Sequence, residues 1–256
     1  MTQRIEAADA YRELGDRLAV DDPASAEVAY RRALDYEPSL PDVYVRLAAT
    51  LIRLGRLCEA EGHLRAARRL DDRHEGAARL SADLLQARGR LVEALACLGG
   101  CAPGGSPLLL TEYGDVLARI GLLDEAELAY REAIAAGECA ETRTNLGLLL
   151  LDRGDRDGAL REFERALVLD PSAPEAAVNR ANVLVELGRL VEAQELFEAL
   201  ARASETRAPA LWGLAALADS RGDGAEAARS RDEAAALWPS LAQLAATNGR
   251  APHAEG

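Results

Sequence analysis

The sequence contains no lysine; all 30 of its basic residues other than histidine are arginine. With the abundance of Ala and Gly, this reads as the coding bias of a GC-rich bacterial genome, not as arginine chosen for function. Aromatics are scarce at 4%. A β-sandwich would want many of them, together with Val, Ile and Thr. Histidine is limited to His63, His74 and His253, none of them spaced with a serine or cysteine to suggest a triad. No Walker or dinucleotide glycine motif occurs. A non-enzymatic chain without a cofactor is therefore expected.

Long apolar runs are also missing. Leu146-Gly-Leu-Leu-Leu-Leu151 is far too short to cross a bilayer. The start, Met1-Thr-Gln-Arg-Ile-Glu-Ala, has neither the apolar segment nor the small-residue cleavage site of a signal peptide, so a cytoplasmic location is expected. Positive charge is in deficit: 43 acidic residues give a net charge of −13. An acidic body repels phosphate backbones and anionic membrane surfaces, which argues against nucleic acid and membrane insertion.

Cysteine is sparse too, with four in 256 residues. Cys97-Leu-Gly-Gly-Cys101 is not the C-x-x-C of zinc or thioredoxin-like sites. No second pair or nearby histidine completes a tetrahedral metal site. Structural thiols are the first reading; a redox pair and a metal site are the alternatives.

What the sequence does have is Ala and Leu, within a hydrophobic content of 49%, and 10 prolines and 21 glycines spread along the chain. That combination suits many short, closely packed helices. A small residue recurs at Gly15, Ala48, Ala82, Gly114, Gly147, Ala181 and Ala215, and a second at Ala26, Ala60, Ala94, Ala126, Ala159, Ala193 and Ala227. Both series step by 32 to 34 residues. Between them glycine recurs at Gly55, Gly89, Gly121, Gly154, Gly188 and Gly222, where a left-handed residue would end one helix before the next. The first unit uses Asp21-Asp22-Pro23 there instead. One helical turn after the second small residue stands a bulky one: Tyr30, Leu64, Leu98, Tyr130, Phe163 and Phe197. A further small residue follows in most units, at Ala33, Ala67, Cys101, Ala133, Ala166 and Ala234, and proline closes the second helix at Pro38, Pro171 and Pro239.

This skeleton resembles the tetratricopeptide repeat family, with its pattern of W-x₂-L-G-x₂-Y…A-x₃-F…P over about 34 residues. The resemblance covers roughly residues 7–241 and implies an all-α, right-handed superhelical solenoid of about seven helix-turn-helix units. The units fall near 7–38, 41–74, 75–106, 107–138, 140–173, 174–207 and 208–241, with a capping helix over 240–248 and a disordered tail over 249–256. The third unit departs with Ser81 where Leu is usual and ends in the glycine-rich loop Gly99–Pro107; a flexing loop that divides the array into three plus four units is the alternative to one continuous array. The sixth departs at Arg180 and Leu200, and the seventh places Arg231 where a bulky residue is usual. An all-helical bundle with accidental repetition is the alternative fold.

The resemblance also implies that the first helix of each unit lines a concave, partner-binding groove. By that analogy the inward residues of the first four units include Arg12, Glu13, Asp16, Arg46, Arg53, Arg79, Asp83, Glu112 and Asp115. The last three offer Thr144, Asn145, Leu148, Leu151, Val178, Asn179, Asn182, Val185 and Trp212. Asn145 and Asn179 match the middle asparagine of the carboxylate clamp that holds C-terminal peptides in this family, but the other clamp places do not match. They also match the asparagines that longer superhelices of the family set along an extended peptide, one repeat apart. The resemblance thus implies a protein-binding adaptor whose candidate partner-binding residues are Asn145, Asn179, Asn182, Leu148, Val178 and Trp212, with Arg46 and Arg79 as the competing site. As solvated groove residues, the asparagines are expected to matter for binding and hardly for stability. A self-assembling, homo-oligomeric scaffold is the alternative.

Overall fold

The structure, a computed structural model, describes residues 2–238, and among these it contains fourteen helices and no strand. They form consecutive antiparallel hairpins: α1 (Thr2–Leu18) with α2 (Pro23–Tyr36), α3 (Pro41–Arg53) with α4 (Leu57–Leu70), α5 (Glu75–Gln86) with α6 (Leu91–Gly99), and α7 (Pro107–Ile120) with α8 (Leu123–Ala136). Then come α9 (Ala140–Asp152) with α10 (Arg156–Leu169), α11 (Pro174–Glu186) with α12 (Leu190–Leu200), and α13 (Arg207–Ser220) with α14 (Gly224–Leu237). The fold is an all-α solenoid of helix-turn-helix repeats. The expected capping helix at 240–248, the tail at 249–256 and Pro239 lie outside the described residues.

Local chemistry explains the punctuation. The six periodic glycines all adopt positive φ, from 71° at Gly89 to 93° at Gly121, the conformation that ends a helix at no steric cost to glycine. Helix starts are fixed by side-chain caps such as Asp155, whose carboxylate accepts from Gly158 N at 2.8 Å, and Asp22, which accepts from Ser25 N at 3.1 Å. Proline occupies the first turn of α2, α3, α7 and α11. Where the recurring Gly-Arg-Leu puts an arginine at the cap, that arginine forms an ion pair three residues on: Arg56–Glu59, Arg90–Glu93 and Arg189–Glu192.

The core follows the two series of small residues. Tyr30, Leu64, Leu98, Tyr130, Phe163 and Phe197 are all buried. A Cβ built on Gly15 would lie 2.4 Å from the Tyr30 ring, on Gly114 2.7 Å from Tyr130, and on Gly147 2.6 Å from Phe163. Glycine in the first helix thus makes room for an aromatic ring on the second. Where the bulky residue is Leu64 or Leu98, the facing place holds Ala48 or Ala82. The sixth unit combines Ala181 with Phe197, and there the ring lies against Gly213 of α13 instead. In the seventh unit Arg231 replaces the bulky residue by an ion pair to Asp219 of α13.

The chain divides into two compact units, the first ending at Ala136 and the second starting at Gly137. The first holds α1–α8 and the second α9–α14. The loop Gly99–Pro107 lies inside the first unit. It is tied down at its middle and near its end, with Arg73 Nη2 donating to Pro103 O at 2.8 Å and Ser106 N donating to Glu75 Oε1 at 2.8 Å.

Candidate functional site

In the second unit α11 touches both α9 and α13, so the first helices form a continuous layer. The candidate residues of that unit belong to this layer: Asn145 and Leu148 on α9, Val178, Asn179 and Asn182 on α11, and Trp212 on α13. Asn145, Leu148, Asn182 and Trp212 are half-buried. The other two differ from expectation. Val178 is 2% exposed and belongs to the core, so it supports the layer from within and offers no open pocket wall.

Asn179 is 0% exposed, and neither its Oδ1 nor its Nδ2 has a hydrogen-bond partner among the described residues. The expectation of a solvated asparagine that barely affects stability is corrected here. A layer with helices on both sides of α11 removes this side chain from water, and burying an amide without hydrogen bonds costs free energy.

The competing residues of the first unit are charged but internally satisfied. Arg46 Nη1 donates to Asp16 Oδ1 at 2.9 Å. Arg79 grips Glu112 through Nε at 2.9 Å and Nη2 at 2.6 Å. Arg53 Nη2 donates to the backbone oxygen of Val20 at 2.8 Å. The Arg46–Asp16 and Arg79–Glu112 pairs join successive first helices, as the analogy placed them, but they also quench each other's charge.

Two polar networks escaped the sequence reading. Tyr30 Oη donates to Asp16 Oδ1 at 2.8 Å and Tyr130 Oη to Asp115 Oδ1 at 2.7 Å. Burial first, then the bond to Asp16 and its charge, push the Tyr30 phenol up to about 12. Burial and Asp115 push Tyr130 up as well. A signal was present: Gly-Asp in the first helix accompanies tyrosine in the second in both units. The other network opens the second unit. Arg143, 7% exposed, donates through Nη1 to Glu162 Oε2 at 2.6 Å and through Nη2 to Glu138, and Arg165 donates to Glu162 Oε1 at 2.8 Å.

All four cysteines are free thiols; Cys97 and Cys101 are buried, Cys58 and Cys139 exposed. Among the described residues no group of three His, Cys, Asp or Glu side chains comes together to hold a metal ion. Nor does any described helix have the length and apolar character to cross a membrane.

Known proteins agree with this architecture. Tetratricopeptide repeat family models match residues 17–84 and 144–208, together just over half of the chain. No curated protein matches. Among solved structures, a tetratricopeptide repeat protein from Parabacteroides merdae is 18% identical, with a TM-score of 0.67 over 91% of this chain and 94% of its own. PilW, a type IV pilus biogenesis factor, is 20% identical, with a TM-score of 0.68 over 78% of this chain and 94% of its own. PilF of Pseudomonas aeruginosa is 23% identical, with a TM-score of 0.53 over 96% of this chain and 99% of its own. At such identities the likeness speaks for the fold alone. Repeats of this kind generally mediate protein–protein interaction. On the matched models, the repeat period and the hairpin fold, the chain belongs to the tetratricopeptide repeat family.

Proposed function

We propose that the chain is a non-enzymatic, cytoplasmic adaptor that holds an extended segment of another protein along the first helices of its second unit. The observation that carries this reading is the buried, unpartnered amide of Asn179. An amide offers both a donor and an acceptor, so it can pair with the C=O and N–H of a peptide whatever its sequence. A leucine would fill similar space without the unsatisfied polar atoms, so an asparagine there sacrifices stability for something else. Asn145 stands one repeat before it, and Asn182 one helical turn after it. Leu148 and Trp212 supply apolar contact at the edges, and a half-buried tryptophan is a favoured anchor at interfaces. Because Asn179 is covered in the free protein, engagement requires its side chain to turn out or its cover to move. Arg46 and Arg79 are left out of the site because their charges are already spent on Asp16 and Glu112.

The test begins with a photo-crosslinking residue placed at Asn182 in one variant and at Arg46 in another, with the crosslinked segment identified by mass spectrometry. That segment is then synthesised and its Kd measured against the wild type and Asn179→Leu. Loss of one hydrogen bond to a buried group, about 1–3 kcal/mol, predicts a Kd weaker by roughly five- to 150-fold. Unchanged affinity in Asn179→Leu, or crosslinks from position 46 with none from 182, would refute the assignment.

A further inference from the structure

The third unit contains a cavity that the groove does not account for. It measures about 230 Å³ and opens among α4, α5 and α6, on the second-helix side of the repeats. Its origin is a departure already visible in the sequence. Leu47 and Leu146, at the equivalent place in the second and fifth units, are buried in the core. Ser81 stands there in the third, and its hydroxyl is turned back to Ala77 O at 2.6 Å. The space a larger side chain would occupy is left open over an apolar floor of Leu64, Leu84 and Leu85.

The wall is cationic. Arg68 and Arg65 line it, in a chain whose net charge is −13. Their partners are weak ones. The guanidinium of Arg68, half-buried, donates to Cys97 Sγ at 3.0 Å, and Arg65 Nε reaches only the backbone oxygen of Glu61 at 3.3 Å. Arg90, which also lines the cavity, is paired with Glu93, and Arg31, Arg46, Arg56 and Arg79 elsewhere in the first compact unit all find carboxylates. Sulfur is a poor acceptor beside a carboxylate. Glu61 does reach the wall, but its carboxylate is ion-paired with Arg88. A partly buried guanidinium held against a thiol, over an apolar floor, is chemically incomplete.

We propose that this cavity binds a small organic anion: a carboxylate on Arg68, carrying a compact aliphatic group that fills the space above Leu64, Leu84 and Leu85. The volume lies below the 300–1,000 Å³ or so of drug-sized pockets, which limits the occupant to about the size of an amino-acid side chain. Two sources share this chemistry, a free short-chain acid and the C-terminal residue of a polypeptide. The site is independent of the peptide groove proposed for the second unit.

The whole chain is titrated calorimetrically with 4-methylpentanoate, with its neutral amide, with N-acetyl-glycyl-leucine, and with the same dipeptide amidated. The acid should bind saturably and the amide about tenfold or more weakly, because the charge-assisted bond is lost. Arg68→Gln should weaken the acid by a similar factor. Ser81→Leu should abolish binding while raising the thermal midpoint, since it fills the same space. Tighter binding of the free-carboxylate dipeptide than of 4-methylpentanoate assigns the site to a polypeptide C-terminus, and the reverse order to a free acid. No saturable heat from either carboxylate up to about 10 mM, or equal affinity for acid and amide, overturns the proposal. Binding that survives Ser81→Leu and Arg68→Gln places the ligand elsewhere and overturns it as well.

Discussion

The pairing of Gly147 with Phe163 lends itself to a quantitative test with an internal control. A Cβ at position 147 would sit 2.6 Å from Phe163 Cε1 and 3.0 Å from Cδ1 and Cζ. Phe163 is 0% exposed, so its ring has little room to retreat. Gly147→Ala gains about 1 kcal/mol of helix propensity and incurs overpacking of about 1–3 kcal/mol, for a net loss of about 0–2 kcal/mol. Phe163→Leu alone leaves a void and costs about 1–3 kcal/mol. The double variant reproduces the Ala48/Leu64 and Ala82/Leu98 combinations that the chain already uses, so the clash vanishes and the propensity gain remains. A favourable coupling equal to the relieved overpacking, about 1–3 kcal/mol, follows, well above the ~0.5 kcal/mol within which independent sites add. Urea unfolding followed by tryptophan fluorescence suits the measurement. Both tryptophans, Trp212 and Trp238, lie in the second unit with residues 147 and 163. Additive changes, or a Gly147→Ala variant stabilised by its full propensity gain, would show that the ring moves aside freely and that glycine is not required by the contact.

Other outcomes can be read by the same unfolding, with helical circular dichroism in place of fluorescence for Tyr30, whose unit contains no tryptophan. Asn179→Leu should stabilise the second unit by about 1 kcal/mol or more, since it removes an unpaired buried amide; a loss of stability would mean that the amide is hydrogen-bonded in solution. Glu162→Gln should destabilise it by about 3 kcal/mol, the lower end for breaking a buried pair, because Arg143 keeps Glu138; a change under about 0.5 kcal/mol would put the network in solvent. For Tyr30 the folded pKa of about 12 lies above the ordinary 10. The fold therefore favours the protonated phenol, and its contribution is complete below pH 10 and is lost as pH rises towards 12. Tyr30→Phe should flatten the alkaline fall in the unfolding midpoint, and a curve parallel to the wild type would refute the link.

The features that were legible in the sequence are those that repeat. The small residues, the turn glycines and the bulky residue one helical turn later each recur at every unit or nearly so, and each marks a backbone or packing requirement that few residue types meet. Burial of the candidate site was not legible in the same way. Whether Asn179 sees water depends on how closely α9 and α13 approach α11, and nothing in the 34-residue period reports that separation. Asn145 and Asn179 hold equivalent places in neighbouring units, yet one is half-buried and the other completely covered. Arg143 and Glu162 were hidden differently. Both are charged and so read as solvated, and they meet across a hairpin, 19 residues apart.

The third unit shows why composition misled about where the array divides. Four glycines and two prolines between residues 99 and 107 suggest a flexible seam, because such residues punctuate chains. What makes a seam, however, is the absence of bonds holding the segment. Here α6 stops at Gly99 after nine residues, and the loop that follows is anchored by Arg73 to Pro103 and by Glu75 to Ser106. Its last serine then caps α7, accepting from Leu109 N at 3.3 Å. Each anchor removes freedom that the glycines would otherwise allow. The division instead falls at the connection 137–139, between two full-length helices. The irregular sequence of the third unit was therefore spent locally, on a tied loop and, through Ser81, on an open cavity.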